Sequence, residues 1–166
     1  MTTTNKNTLS APVSVSALSA LFEGEDASLL QRIADDGFSV SSATFDNAAF
    51  YHSGFGGVIS LSALRYNYEM CAEDYAADEG INTFREYVDA VTDMGGDCRP
   101  IYGHFYSFKI NGSNEMDIDC EGDEYADTDL EHVIDLAEWK AEGTNDKIEI
   151  VRYELSAKWF EYLPKD

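Results

Sequence analysis

Residues 67–142 carry carboxylates at intervals suited to gripping a row of positive charges. Asp117, Asp119, Glu121 and Asp123 alternate, which in a strand turns all four to one face at about 6.8 Å spacing. Asp127, Glu131, Asp135, Glu138 and Glu142 recur every three or four residues. On a helix they fall in a stripe roughly 80° wide, rising about 6.0 Å per four residues. Glu69 with Glu73, and Asp74 with Asp78, make i,i+4 acid pairs, and Glu86, Asp89 and Asp93 share the outer side of a further helix. Duplex DNA advances roughly 3.4 Å per phosphate along each strand, so these spacings match every second phosphate. The chemistry implied is charge pairing with Lys and Arg of a basic partner. A merely solvated acidic face, or adaptation to high salt, stands beside it. No acid precedes Glu23 and aromatics are plentiful, which counts against the salt reading.

Other residues suggest chemistry more weakly. Asp117-x-Asp119-x-Glu121-Gly122-Asp123 matches the first half of a calcium loop, but Glu124 stands where an apolar residue belongs and Thr128 where a bidentate Glu is needed. Gly54-x-Gly56-Gly57 before a Ser60-capped helix could cradle a phosphate, yet the turn holds no Lys. Cys98 precedes His104 by six residues without any motif for an orienting group or an oxyanion site. His132 and Asp135 are two potential ligands, too few for a metal site. His104, among Tyr102, Tyr106 and Phe108, reads as a packed histidine. No catalytic residue, metal or cofactor is expected.

The elements that must position these groups follow from periodicity and punctuation. Residues 1–14, rich in Thr, Ser and Asn, read as a flexible arm preceding a single acidic α+β domain over 15–166. Ser28–Asp36 reads as a helix stopped by Gly37, and Phe38–Phe45 and Ala48–His52 as strands. Gly54–Gly57 reads as a turn, after which a helix runs from a Ser60 cap to about Asp78, with Leu64, Tyr68, Cys71 and Tyr75 inward. Asn82–Met94 makes another helix. Ile101–Ile110 alternates as a strand, turns through Asn111–Asn114, and should pair with Glu115–Glu121. The acidic stripe spans a helix over 127–142, and Lys147–Tyr162 closes the fold as a strand. The expected architecture is α+β: an antiparallel sheet of four to six strands packed with three or four helices.

Composition bounds the partners. The chain of 166 residues has 32 acids against 11 bases, a formal net charge of −21, with 44% hydrophobic residues. Residues 67–166 alone hold 26 acids and 8 bases, a net of −18. Such a field repels nucleic acid and anionic membrane and attracts basic protein surfaces. Three cysteines without CxxC spacing fit a reducing cytoplasm. Ala11–Phe22 is too short an apolar stretch to span a bilayer, which needs roughly 18 residues.

In size, charge and acid patterning, chiefly over 67–142, the chain resembles the DNA-mimic antirestriction proteins of phages and conjugative elements (the Ocr and ArdA kind). The resemblance implies a small cytoplasmic protein, often a homodimer, that blocks a host defence enzyme such as a restriction-modification enzyme by filling its DNA groove. No functional residue is carried over from it. The expected function is therefore a non-enzymatic inhibitor that mimics DNA phosphates on a basic DNA-binding protein. A small enzyme acting on a nucleotide or cofactor, and an acidic adaptor for a basic partner, are the alternatives.

Overall fold

The computed structural model describes residues 3–10, 12–54, 56–92, 98–114 and 122–156, the side chains of 3–7 aside. In chain order the elements are β1 (Thr3–Leu9), α1 (Val15–Leu21), α2 (Ala27–Asp36), β2 (Ser39–Phe45), β3 (Ala49–His52), β4 (Gly57–Ser60) and α3 (Leu61–Met70). There follow α4 (Ala72–Glu79), α5 (Phe84–Thr92), β5 (Cys98–Pro100), β6 (His104–Ile110), α6 (Leu130–Ala141) and β7 (Ile148–Leu155). The fold class is α+β.

Two sheets form, a four-stranded one ordered β1-β2-β7-β6 and a three-stranded one ordered β4-β3-β5. Alternation along each strand sends successive side chains to opposite faces, and this sorts the apolar residues into three clusters. Val40, Tyr106, Phe108, Ile148 and Ile150 meet Leu18, Leu30, Ile33, Val133 and Ile134 of α1, α2 and α6. Phe50 and Ile59 of the smaller sheet meet Leu64, Tyr68, Tyr87 and Val88 of α3 and α5. Between the sheets lie Ala43, Phe45, Phe105, Val151 and Tyr153 from one side, and Ala49 and Val58 from the other. The result is four layers: helices, sheet, sheet, helices.

Local chemistry fixes the helix ends. Ser14, Asp26, Ser60 and Asp129 each accept a backbone N–H as N-caps, and Gly37 ends α2 in the left-handed region at φ 72°. The strands are less local. β7 lies at the centre of its sheet, parallel to β2 and antiparallel to β6, so Ser39–Phe45 pairs with Glu149–Leu155 across more than a hundred residues of chain. A single parallel pair therefore makes the larger sheet mixed, not purely antiparallel as expected.

The segment after Gly122 joins the two sheets. Asp123 exchanges both backbone hydrogen bonds with Val58 on the edge of the smaller sheet, at 3.0 and 2.7 Å, and Asp127 does the same with Tyr106 on the edge of the larger, at 2.8 and 2.9 Å. This strap needs Gly57: a Cβ there would stand 2.1 Å from the Asp123 carbonyl oxygen.

Several expectations are corrected. Residues 1–14 hold an edge strand, β1, paired antiparallel with β2; an edge strand needs only one apolar face, so its Thr- and Asn-rich sequence imitates a tail. The helix expected from Ser60 to Asp78 breaks at Cys71, which is exposed. An unbroken helix would set Tyr68 and Tyr75 about 10.5 Å apart along its axis, whereas the break lets their rings stack at 5.9 Å. Gly57 belongs to β4, not to a free turn, and β5 is a further short strand. Helix α6 starts at Leu130 because the backbone of Asp127 is committed to Tyr106. The expected hairpin partner at 115–121 and the end of the closing strand beyond 156 lie outside the described residues.

Candidate partner-binding surface

Helices α3 and α4 form an outer ridge over the smaller sheet. α4 buries no residue; only Ala72 and Tyr75 pack partly against the core, and Glu73, Asp74, Asp78 and Glu79 all face water. Glu69 is exposed on the preceding helix. Among the described residues none of these five carboxylates has an ion-pair partner. Glu73 and Asp74 occupy the first turn of α4, where the helix dipole favours negative charge. Asp78 and Glu79 stand at the opposite end, where it disfavours them, with no basic residue in the last turn.

The acids of α5 are tied down. Glu86 closes a capping box with Thr83: its carboxylate accepts the Thr83 N–H at 3.1 Å, and its own N–H donates to the Thr83 hydroxyl at 3.1 Å. Asp89 pairs with Arg85 at 3.6 Å, one turn away. Asp93 lies outside the described residues.

The stripe on α6 is shorter than expected and lies on the opposite outer layer. Glu131 and Glu142 are exposed and, among the described residues, have no ion pair. Asp135 and Glu138 instead receive the Arg32 guanidinium of α2 at 2.7 and 2.6 Å. That contact drives the arginine further above its usual range. The Asp36 carboxyl, losing water where α2 meets α6 and hydrogen-bonded to Glu138, is pushed up to about 7. Glu138 is held below the usual carboxylate range, first by that hydrogen bond and then by Arg32. Trp139, exposed, borders a cleft of about 500 Å³ with Asp36, Phe38, Asp135, Glu138 and Glu142.

Two of the acids expected to meet a partner prove to be structural. Asp123 is 1% exposed; it accepts the Ser107 hydroxyl and, at 2.9 Å, the Tyr125 N–H. Asp127, 8% exposed, accepts the Asp129 N–H at 3.1 Å and a hydrogen bond from Thr128 at 3.3 Å, with His132 at 4.0 Å. Neither can reach a partner, because the strap turns them inward. Burying Asp123 also removes it from any calcium loop. Asp117, Asp119 and Glu121 lie outside the described residues. The acids therefore divide between two opposite outer layers, and the unpaired ones concentrate on the α3–α4 ridge.

The residues weighed for catalysis do not converge. Cys98 packs with Phe50 and Val88 on the smaller sheet, whereas His104 lies on the larger one against the other helical layer. The β3–β5 register sets Cys98 opposite His52 instead. His104 belongs to a satisfied network. Tyr106 donates to Glu25 at 2.5 Å, Arg152 donates to the Tyr106 hydroxyl at 3.1 Å and to the Glu23 carbonyl at 3.0 Å, and Arg152 pairs with Glu154 at 2.6 Å. His104 stands 3.4 Å from Arg152 and 3.8 Å from Glu25. Burial, then the arginine, lowers its pKa; burial and the Glu25 contact raise that of Tyr106. This network pins the α1–α2 connection to the sheet.

Sequence reasoning passed over Glu79, Arg32, Asp36 and the exposed pair Tyr66 and Met70 of α3. Glu79 continues the acid run before Gly80 and was readable. Arg32 acts through contacts 103 and 106 residues away, which no local signal records. No protein-family model, curated protein or solved structure matches this chain.

Proposed function

We propose that this chain is a non-enzymatic inhibitor whose α3–α4 ridge presents carboxylates in place of DNA phosphates to a basic DNA-binding surface. One observation carries the reading: α4 holds four exposed acids, two of them against its own dipole, and none is neutralised among the described residues. The fold gains nothing in stability from Asp78 and Glu79 at that end of the helix. That placement costs free energy in the isolated protein that a cationic partner would return on binding. The contrast with α6 supports this, since there the fold supplies its own arginine. Eight residues of helix rise about 12 Å, the length of three or four phosphates on one DNA strand. The footprint is thus a short ridge on one face.

The test is displacement of a labelled duplex from a panel of restriction-modification enzymes. Added protein should release the DNA, less so as salt rises. Single changes at Glu73, Asp74, Asp78 or Glu79 should weaken release modestly, and Glu73→Gln, Asp74→Asn, Asp78→Asn and Glu79→Gln together should abolish it. Absence of displacement from every enzyme at low salt, or a quadruple variant as potent as the parent, sinks the reading. Partner capture without loss of DNA would transfer the function to an acidic adaptor.

A further inference from the structure

The outer face of α3 is not only acidic. Tyr66 and Met70, one turn apart, are 56% and 66% exposed, and Glu69 lies between them in sequence. Leu61, Ala63, Leu64 and Tyr68 of the same helix point into the core, so this apolar pair is the side the fold leaves uncovered. Beside it opens a cleft of about 560 Å³, walled by Leu61, Ser62 and Tyr66 and rimmed by Asp46, Glu69 and Arg65. A hydrogen bond of 2.8 Å from Asn47 to Ser62 ties the β2–β3 turn to α3 and holds one wall. Arg65, the one base on the rim among the described residues, stacks over the Phe84 ring at 4.3 Å.

We infer that this face docks a basic amphipathic segment of the partner protein. An apolar side chain of that segment would lie against Tyr66 and Met70, and flanking Lys or Arg would reach Asp46, Glu69, Glu73 and Asp74. Charge complementarity selects the occupant. A second copy of the chain would bring the same acidic face, at −21 per chain, against this one. A nucleic acid would meet the same repulsion. Aromatic and methionine side chains at the centre of a charged rim are the usual anchors of protein interfaces. The inference rests on the ridge binding a basic partner, and adds that the contact has an apolar, salt-resistant centre.

The experiment measures fluorescence anisotropy of two labelled synthetic peptides of equal length and charge against the full chain. One is a Lys/Leu sequence patterned as an amphipathic helix, and the other a Lys/Ser sequence. The Lys/Leu peptide should bind about tenfold more tightly, and keep that advantage in high salt. Tyr66→Ser with Met70→Ser should bring the two peptides to parity, leaving the Lys/Ser affinity and the melting temperature unchanged. Trp139→Ser, on the opposite layer, should leave the preference intact. Equal binding of both peptides, or a preference that survives the double variant or depends on Trp139, overturns the anchor while leaving the acidic ridge standing. No binding of either peptide at low salt overturns both.

Discussion

Two ionisable residues face opposite pH consequences in the same range. Asp36, pushed up to about 7, holds its proton more tightly when folded than unfolded. Stability contributed through that proton is full at low pH and is lost as pH rises from about 4 towards 7. His104, depressed by burial and then by Arg152 beside Glu154 and Glu25, works the other way. Its contribution is present above the usual histidine range and is lost as pH falls below about 6.5. Two variants separate the trends. Asp36→Asn should gain on the parent as pH rises across that window, and His104→Gln should gain on it as pH falls. Parallel melting curves for all three would refute the assignment. Gly57→Ala tests a different residue property. With 2.1 Å between the new Cβ and the Asp123 oxygen, it should cost about 2–4 kcal/mol in chemical denaturation. Nothing in the sequence around Gly57, Asp123 or Asp127 announces these contacts. An acid at alternate positions looks the same whether its face meets water or Ser107, because burial is decided by a segment pairing distant in the chain.

Elements with a local signature were legible, and those without one were not. Asp26 and Gly37 bracket α2, and Ser60 opens α3, because a cap satisfies the backbone groups a helix end leaves open. β2, β3 and β6 are rich in β-branched and aromatic residues between turn residues, which marks them as strands. β4 and β5, four and three residues long, are too short for a period to show. The acids of α4 were legible as acids, but not as unneutralised ones, since Arg32 and Arg85 choose their partners only in the folded chain. α4 carries the sharpest prediction at this scale. Asp78→Asn and Glu79→Gln relieve charge at the wrong end of the helix dipole and should each raise stability by about 0.3–1 kcal/mol. The same pair should weaken displacement of DNA from its protein. A loss of stability in thermal denaturation would show that these carboxylates serve the fold.

Over the whole molecule, net charge was readable and its distribution was not. The acidic positions form one series along the chain, yet the four layers place α4 and α6 on opposite outsides, so the acids of the described residues do not make a single long track. The same layering follows from where β7 lies. In their sheet β2 and β6 are joined only through β7, and Val40, Phe108 and Ile33 share their cluster with its Ile148 and Ile150. A chain ending at Lys147 should accordingly lack a cooperative melting transition, and a sharp one would refute this. The strand that unites the sheet is the last of its four to be made. A ribosome that has already released α1, α2, β2 and β6 still holds halves of a sheet that cannot close. Their apolar faces stay open to chaperones, proteases and neighbouring nascent chains until residues 148–155 clear the exit tunnel, and the dense negative charge carried by the waiting chain is what keeps such neighbours apart in the meantime.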